Sequence, residues 1–107
     1  MAKQIVIHYK DDTYTLEYTR AAVKQMERAG FVADEFEHKP MTMLPMLFEG
    51  AFIANHPQVK RAKIEQIYDS LNDKAALIER LVEMYSEPFE ALMDDAGEGN
   101  ANWTPVG

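Results

Sequence analysis

Histidine beside a carboxylate can do general acid–base work, and histidines at ligand spacing can hold zinc or iron. The chain has three, His8, His38 and His56, which the surrounding pattern puts on a strand, in a loop and at a helix start. None has a histidine neighbour at ligand spacing. Cysteine is absent, so neither a thiol nucleophile nor a disulfide framework is available. Glu79 and Glu83 stand one helical turn apart, a spacing that a catalytic carboxylate pair can use. An acidic helix has that spacing by default, however, and no apolar setting that would shift a pKa surrounds them. Ser70 and Ser86 sit near helix boundaries without a nearby histidine. The glycines are scattered, forming neither a phosphate loop nor a nucleophile elbow. These residues predict no catalysis, no metal and no cofactor.

The chemistry that remains is apolar. Met41 to Asn55 reads MTMLPMLFEGAFIAN, with Glu49 its only charged residue. As a helix it is apolar around nearly the whole circumference and needs cover on every side. Either the rest of the chain wraps it, as the usual burial of Leu, Phe and Met suggests, or part of it waits for another protein. The excess of methionine fits the second reading, because flexible thioethers suit surfaces that accept varied apolar partners. Candidate partner-binding residues are Met43, Leu44, Met46, Leu47, Phe48 and Phe52, joined by Met84, Tyr85 and Phe89 from a later helix. Each such side chain contributes about 1.5–3 kcal/mol when fully buried, so four anchors in a helix-in-groove complex support reversible binding.

Around this segment the chain predicts an α+β domain, with an N-terminal hairpin packed on about four helices. Ile5, Ile7 and Tyr9 alternate with Val6, His8 and Lys10; Tyr14, Leu16 and Tyr18 alternate with Thr13, Thr15 and Glu17. Period two marks two strands. A turn at Asp11-Asp12 would set Tyr9 opposite Tyr14, Ile7 opposite Leu16 and Ile5 opposite Tyr18. Thr19 can cap a helix running to about Ala29, with Ala22, Val23 and Met26 inward and Gly30 as its stop. Thr42 is the expected cap of the apolar helix, placing Pro45 in its first turn, and Gly50 implies close approach by another element. Asn55-His56-Pro57 would start a third helix carrying Ile64, Ile67 and Tyr68. Asn72-Asp73 would cap a fourth, kinked or broken at Pro88. Residues 1–93 form the single domain in this reading, and 94–107 a flexible acidic tail. Trp103 in that tail either docks on the domain or a partner, or stays exposed.

With 107 residues there is room for one core, and the apolar share of 47% is too high for disorder. The net charge of −7 argues against nucleic acid, whose phosphates need a basic face. Lys60, Arg61 and Lys63 form the densest basic cluster, a small one that helix solvation explains. Beyond Ile78 the carboxylates Glu79, Glu83, Glu87, Glu90, Asp94, Asp95 and Glu98 face only Arg80. Nothing reaches the ~20 apolar residues a membrane span requires, and the N-terminus lacks the apolar run of a signal peptide. The expected location is the cytoplasm.

The order of these signals resembles the small tail assembly chaperones of long-tailed bacteriophages and prophages. The resemblance rests on Tyr14-Thr15-Leu16-Glu17-Tyr18-Thr19-Arg20, Met26-Glu27-Arg28-Ala29-Gly30-Phe31, Lys39-Pro40, Leu47-Phe48-Glu49-Gly50-Ala51-Phe52, His56-Pro57 and Leu77 to Tyr85. It implies a binding role: keeping a helical tape measure protein soluble while tail tube protein assembles around it. It also implies a possible longer form made by frameshifting, with the two forms diverging after Asp94. On this reading Phe48→Asp or Phe52→Asp abolishes partner solubilisation. The alternative is a structural or scaffold component of the particle that self-associates through its apolar helix as a homo-oligomer.

Overall fold

The period-two segments form an antiparallel hairpin, β1 (Ile5–Tyr9) and β2 (Asp12–Leu16), in a computed structural model that describes residues 3–94, 99 and 101–106. The register differs from the expected one by two residues. Ile5 faces Leu16, Ile7 faces Tyr14 and Tyr9 faces Asp12. Lys10, at φ 55°, takes the left-handed turn position, so the return strand begins at Asp12. A two-residue slip keeps side-chain parity, and Ile7, Tyr14 and Leu16 still point into the core. Tyr18 lies beyond the ladder, which ends at Leu16, and its hydroxyl is engaged elsewhere.

Thr19 caps α1 (Arg20–Arg28), its hydroxyl accepting from the Ala22 amide at 3.1 Å. Gly30, at φ 106°, ends the helix. The Phe31 amide bonds the Met26 carbonyl and the Gly30 amide the Glu27 carbonyl, a Schellman motif that buries Phe31. After a 3-10 turn at Ala33–Glu35 comes α2 (Pro40–Gly50), which starts two residues before the expected Thr42 cap. Pro40 stands in its first turn, where a missing amide hydrogen costs nothing. Pro45 therefore lies in the helix interior, and turns rather than helix carry the chain from Ala51 to Asn55.

The third helix, α3 (Arg61–Asp69), also begins away from its expected start at Asn55-His56-Pro57. Those residues are occupied by β2. The Asn55 amide group donates to the Thr15 carbonyl (3.1 Å) and Glu17 carboxylate (3.0 Å), and His56 Nε2 accepts from the Thr15 amide at 3.0 Å. With the Glu17 amide bonded to the Ala51 carbonyl, this segment covers the outer edge of β2.

The last helix, α4 (Lys74–Met93), runs through Pro88 without a break. Proline there removes the bond to the Met84 carbonyl and crowds it with its ring, yet Pro88 is buried, beside a hollow that Tyr18, Thr19 and Arg20 also line. Arg20 also donates to the Ala91 carbonyl at 3.2 Å, which holds the last turn. Lys3 ties the hairpin to this helix through its amide to Glu87 (2.8 Å) and its ammonium to Glu83 (3.6 Å).

The domain is thus α+β, a two-stranded hairpin and four helices around one core. Leu16, Leu47, Phe48, Phe52, Ile67, Leu81 and Met84 are its largest fully buried side chains. No described helix is long and apolar enough to cross a membrane. Of the expected tail, residues 99 and 101–106 are exposed and outside helix or strand, Trp103 among them. Asp95, Glu98 and the rest of that stretch lie outside the described residues.

Candidate partner-binding surface

Two hydrogen bonds fix how far α2 can turn. The buried Tyr18 hydroxyl donates to the Leu47 carbonyl in the last turn of α2, taking one of the acceptors that a helix end leaves open. Burial, with Tyr85 adding to it, pushes the Tyr18 phenol well above the ordinary tyrosine range, so it stays a donor. The second is the bond from the Glu17 amide to Ala51, just past the helix.

So held, α2 turns most of the predicted binding residues inward. Met43, Leu47, Phe48 and Phe52, with Met84 of α4, are between 1% and 3% exposed. Phe48 lies edge-on to Phe52 and to Tyr68, with ring centroids 5.2 Å apart in both pairs. Tyr14 meets Phe52 at 5.7 Å. These five are core residues, although Phe48 also borders a surface hollow beside α2. An aspartate at Phe48 or Phe52 would unfold the domain and so would report nothing about a partner.

Leu44 and Met46 are half-buried, and Pro45 between them is exposed. Met41, one turn before Pro45, is 90% exposed. Together these four make the outer face of α2. Beside Met41 and Pro45 on one flank runs a groove of about 720 Å³, floored by Met46, Gly50, Ile53 and Ile64. On the other flank a hollow of about 420 Å³ is lined by Leu44, Phe48 and Tyr68. Glu49 stands on both, paired with Arg61 at 3.2 Å. Burial pushes its carboxyl above the ordinary range; Arg61 pulls it back and Glu65 pushes it further up. The surface is an apolar ridge between two grooves with an acidic rim of Glu49, Glu65 and Asp69.

Tyr85 and Phe89 lie elsewhere. Tyr85 packs edge-on against Phe31 and Tyr18, at 5.2 and 5.5 Å, and Phe89 is exposed on α4. Met41 and Pro45 were absent from the sequence-based set, although their spacing with Glu49 marks one helical stripe. The histidines do not converge on these grooves. His8 meets Thr13 at 3.1 Å, His56 serves β2, and His38 is exposed. Among the described residues no three His, Cys, Asp or Glu side chains could hold a metal ion together.

Residues 1–106 match a domain of unknown function, DUF5055. The chain belongs to the DUF5055 family. Comparison of this DUF5055 chain with curated proteins and with solved structures gives no match.

Proposed function

We propose that this DUF5055 protein is a holding chaperone of phage tail assembly, which binds the helical tape measure protein and keeps it soluble in the host cytoplasm. The observation that carries the proposal is the outer face of α2, where Met41, Leu44, Pro45 and Met46 stand over two grooves, the smaller mainly apolar and the larger of mixed lining. A helix with an apolar stripe fits such a ridge-and-groove surface, and methionine lets it accept several side-chain shapes. Anchors worth about 1.5–3 kcal/mol each, less the cost of ordering, support binding that later competition by tail tube protein can reverse. The acidic rim and the net charge of −7 would keep a loaded complex in solution. The resemblance through Tyr14 to Tyr85 supports the same role, and with it pairing to a longer frameshifted form.

The test is a surface variant that leaves the core alone. Met41→Asp combined with Pro45→Asp, both at exposed positions, is expected to fold with an unchanged circular dichroism spectrum and to lose co-purification with a tape measure protein. Undiminished co-purification by that folded variant rejects this face as the binding surface. A scaffold role would instead place the protein in purified particles, from which an assembly chaperone is missing.

A further inference from the structure

Along α4 apolar residues recur at alternating steps of three and four: Ala75, Ile78, Val82, Tyr85, Phe89 and Leu92, with Ile78 and Tyr85 leaning on the core. This is the spacing of a coiled-coil seam. Most surface helices end such a seam against their own domain. Here Ile78 and Tyr85 are only half-buried, Val82 and Leu92 are exposed, and Phe89 is 65% exposed with Met93 beside it. At 1.5 Å per residue the seam extends roughly 25 Å, and its open part is the C-terminal half, from Val82 to Met93. It is also preformed, since Lys3 binds Glu83 and Glu87 from one side and Arg20 holds the final turn.

The charges say what kind of helix would lie there. Between Lys74 and Asp94, α4 carries Glu79, Glu83, Glu87, Glu90 and Asp94 against Lys74 and Arg80. Arg80 is already paired with Glu83 at 3.6 Å, so Glu79 and Glu90 are left on the solvent side of the seam, whose other side is the domain's own Leu81 and Pro88. A second copy would bring a like-charged rim and another net charge of −7 against this one. A helix with Lys or Arg beside its apolar stripe would neutralise the rim instead. We infer that the α4 seam is a docking site for an amphipathic helix of another protein with basic flanks, separate from the α2 surface and independent of its function.

The full chain can be titrated with three labelled peptides of about 20 residues, matched to the length of the seam. One has leucines at three–four spacing with lysine and arginine flanks, one the same leucines with glutamate flanks, and one the basic composition scrambled. By fluorescence anisotropy at low salt, the basic seam peptide should bind, and the acidic one should bind at least about tenfold more weakly. The scrambled peptide should not saturate, and high salt should narrow the gap between the first two. Phe89→Ser, and separately Val82→Ser, should each weaken the basic peptide by on the order of tenfold or more, the loss of a central anchor, with the melting curve unchanged. Met41→Ser should leave it unaffected. Equal binding of seam and scrambled peptides would reduce the effect to net charge and overturn the proposal, as would equal binding of basic and acidic peptides. A chain that sediments alone as a dimer and becomes a monomer on Phe89→Ser would make a second copy the occupant and refute it too.

Discussion

Replacing Gly50 with alanine sets two effects of known sign against each other. In an unhindered helix the change would stabilise by about 0.5–1 kcal/mol, because glycine loses more backbone freedom on folding. Here the added methyl would sit 2.3 Å from Met26 Sδ, 2.6 Å from its Cε and 2.7 Å from its Cγ. Met26 is itself buried at the α1–α2 contact, so its thioether must be re-seated along the groove that it borders before the methyl fits. Overpacking of this kind costs about 1–3 kcal/mol and outweighs the propensity gain. The expected net loss is about 1 kcal/mol, or about 4–8 °C in Tm for a domain of this size. Met26→Ala alone opens a cavity and should cost about 2–5 kcal/mol. The double variant should lose less than the sum of the two by about 0.5–3 kcal/mol, because the alanine methyl then enters the vacated space. Urea unfolding followed by circular dichroism measures all four corners of the cycle. A Gly50→Ala protein more stable than the parent, or strictly additive losses, would refute the close approach of α1 and α2 at this point.

Two further outcomes follow from groups that burial has perturbed. Tyr18→Phe leaves the Leu47 carbonyl without its partner and should destabilise by about 1–3 kcal/mol in thermal unfolding at neutral pH. Because the folded-state pKa of Tyr18 lies above the unfolded one, its stabilisation is complete below the ordinary value of about 10 and fades above it. The phenylalanine variant should therefore lose less stability than the parent between neutral and strongly alkaline pH; an equal loss would contradict this. The Glu49 carboxyl is likewise raised by burial, so its ionisation works against folding as pH rises through the ordinary carboxylate range. Glu49→Gln should be more stable than the parent near pH 7, with the gap closing below about pH 4. Lower stability at neutral pH would mean that the Arg61 pair outweighs desolvation.

What could be read from the chain was local. Alternation gave both strands, and Thr19 and Gly30 bounded α1, because caps and turns depend on neighbours within a few residues. Gly50 foretold a close approach without naming Met26. The starts of α2 and α3 were harder. Pro40 overrides the better capping side chain of Thr42, and Asn55 and His56 bond a strand forty residues earlier rather than open a helix. Pro88 lies inside α4 and is buried, and Arg20 bonds the Ala91 carbonyl one turn on, both tertiary facts. The candidate surface was half legible for the same reason. Composition marked Met41 to Asn55 as needing cover on every side. Which side stays open depends on where α1, α3 and α4 come to rest, and they cover Phe48 and Phe52 while leaving Met41 and Pro45.

The chaperone reading is tested most directly by co-expression with a candidate tape measure protein, followed by size-exclusion chromatography with light scattering. A tape measure protein insoluble on its own is expected to be recovered in a soluble complex with this chain, at a defined stoichiometry. A chain that elutes by itself as a stable closed oligomer, with the tape measure protein still in the pellet, would contradict it.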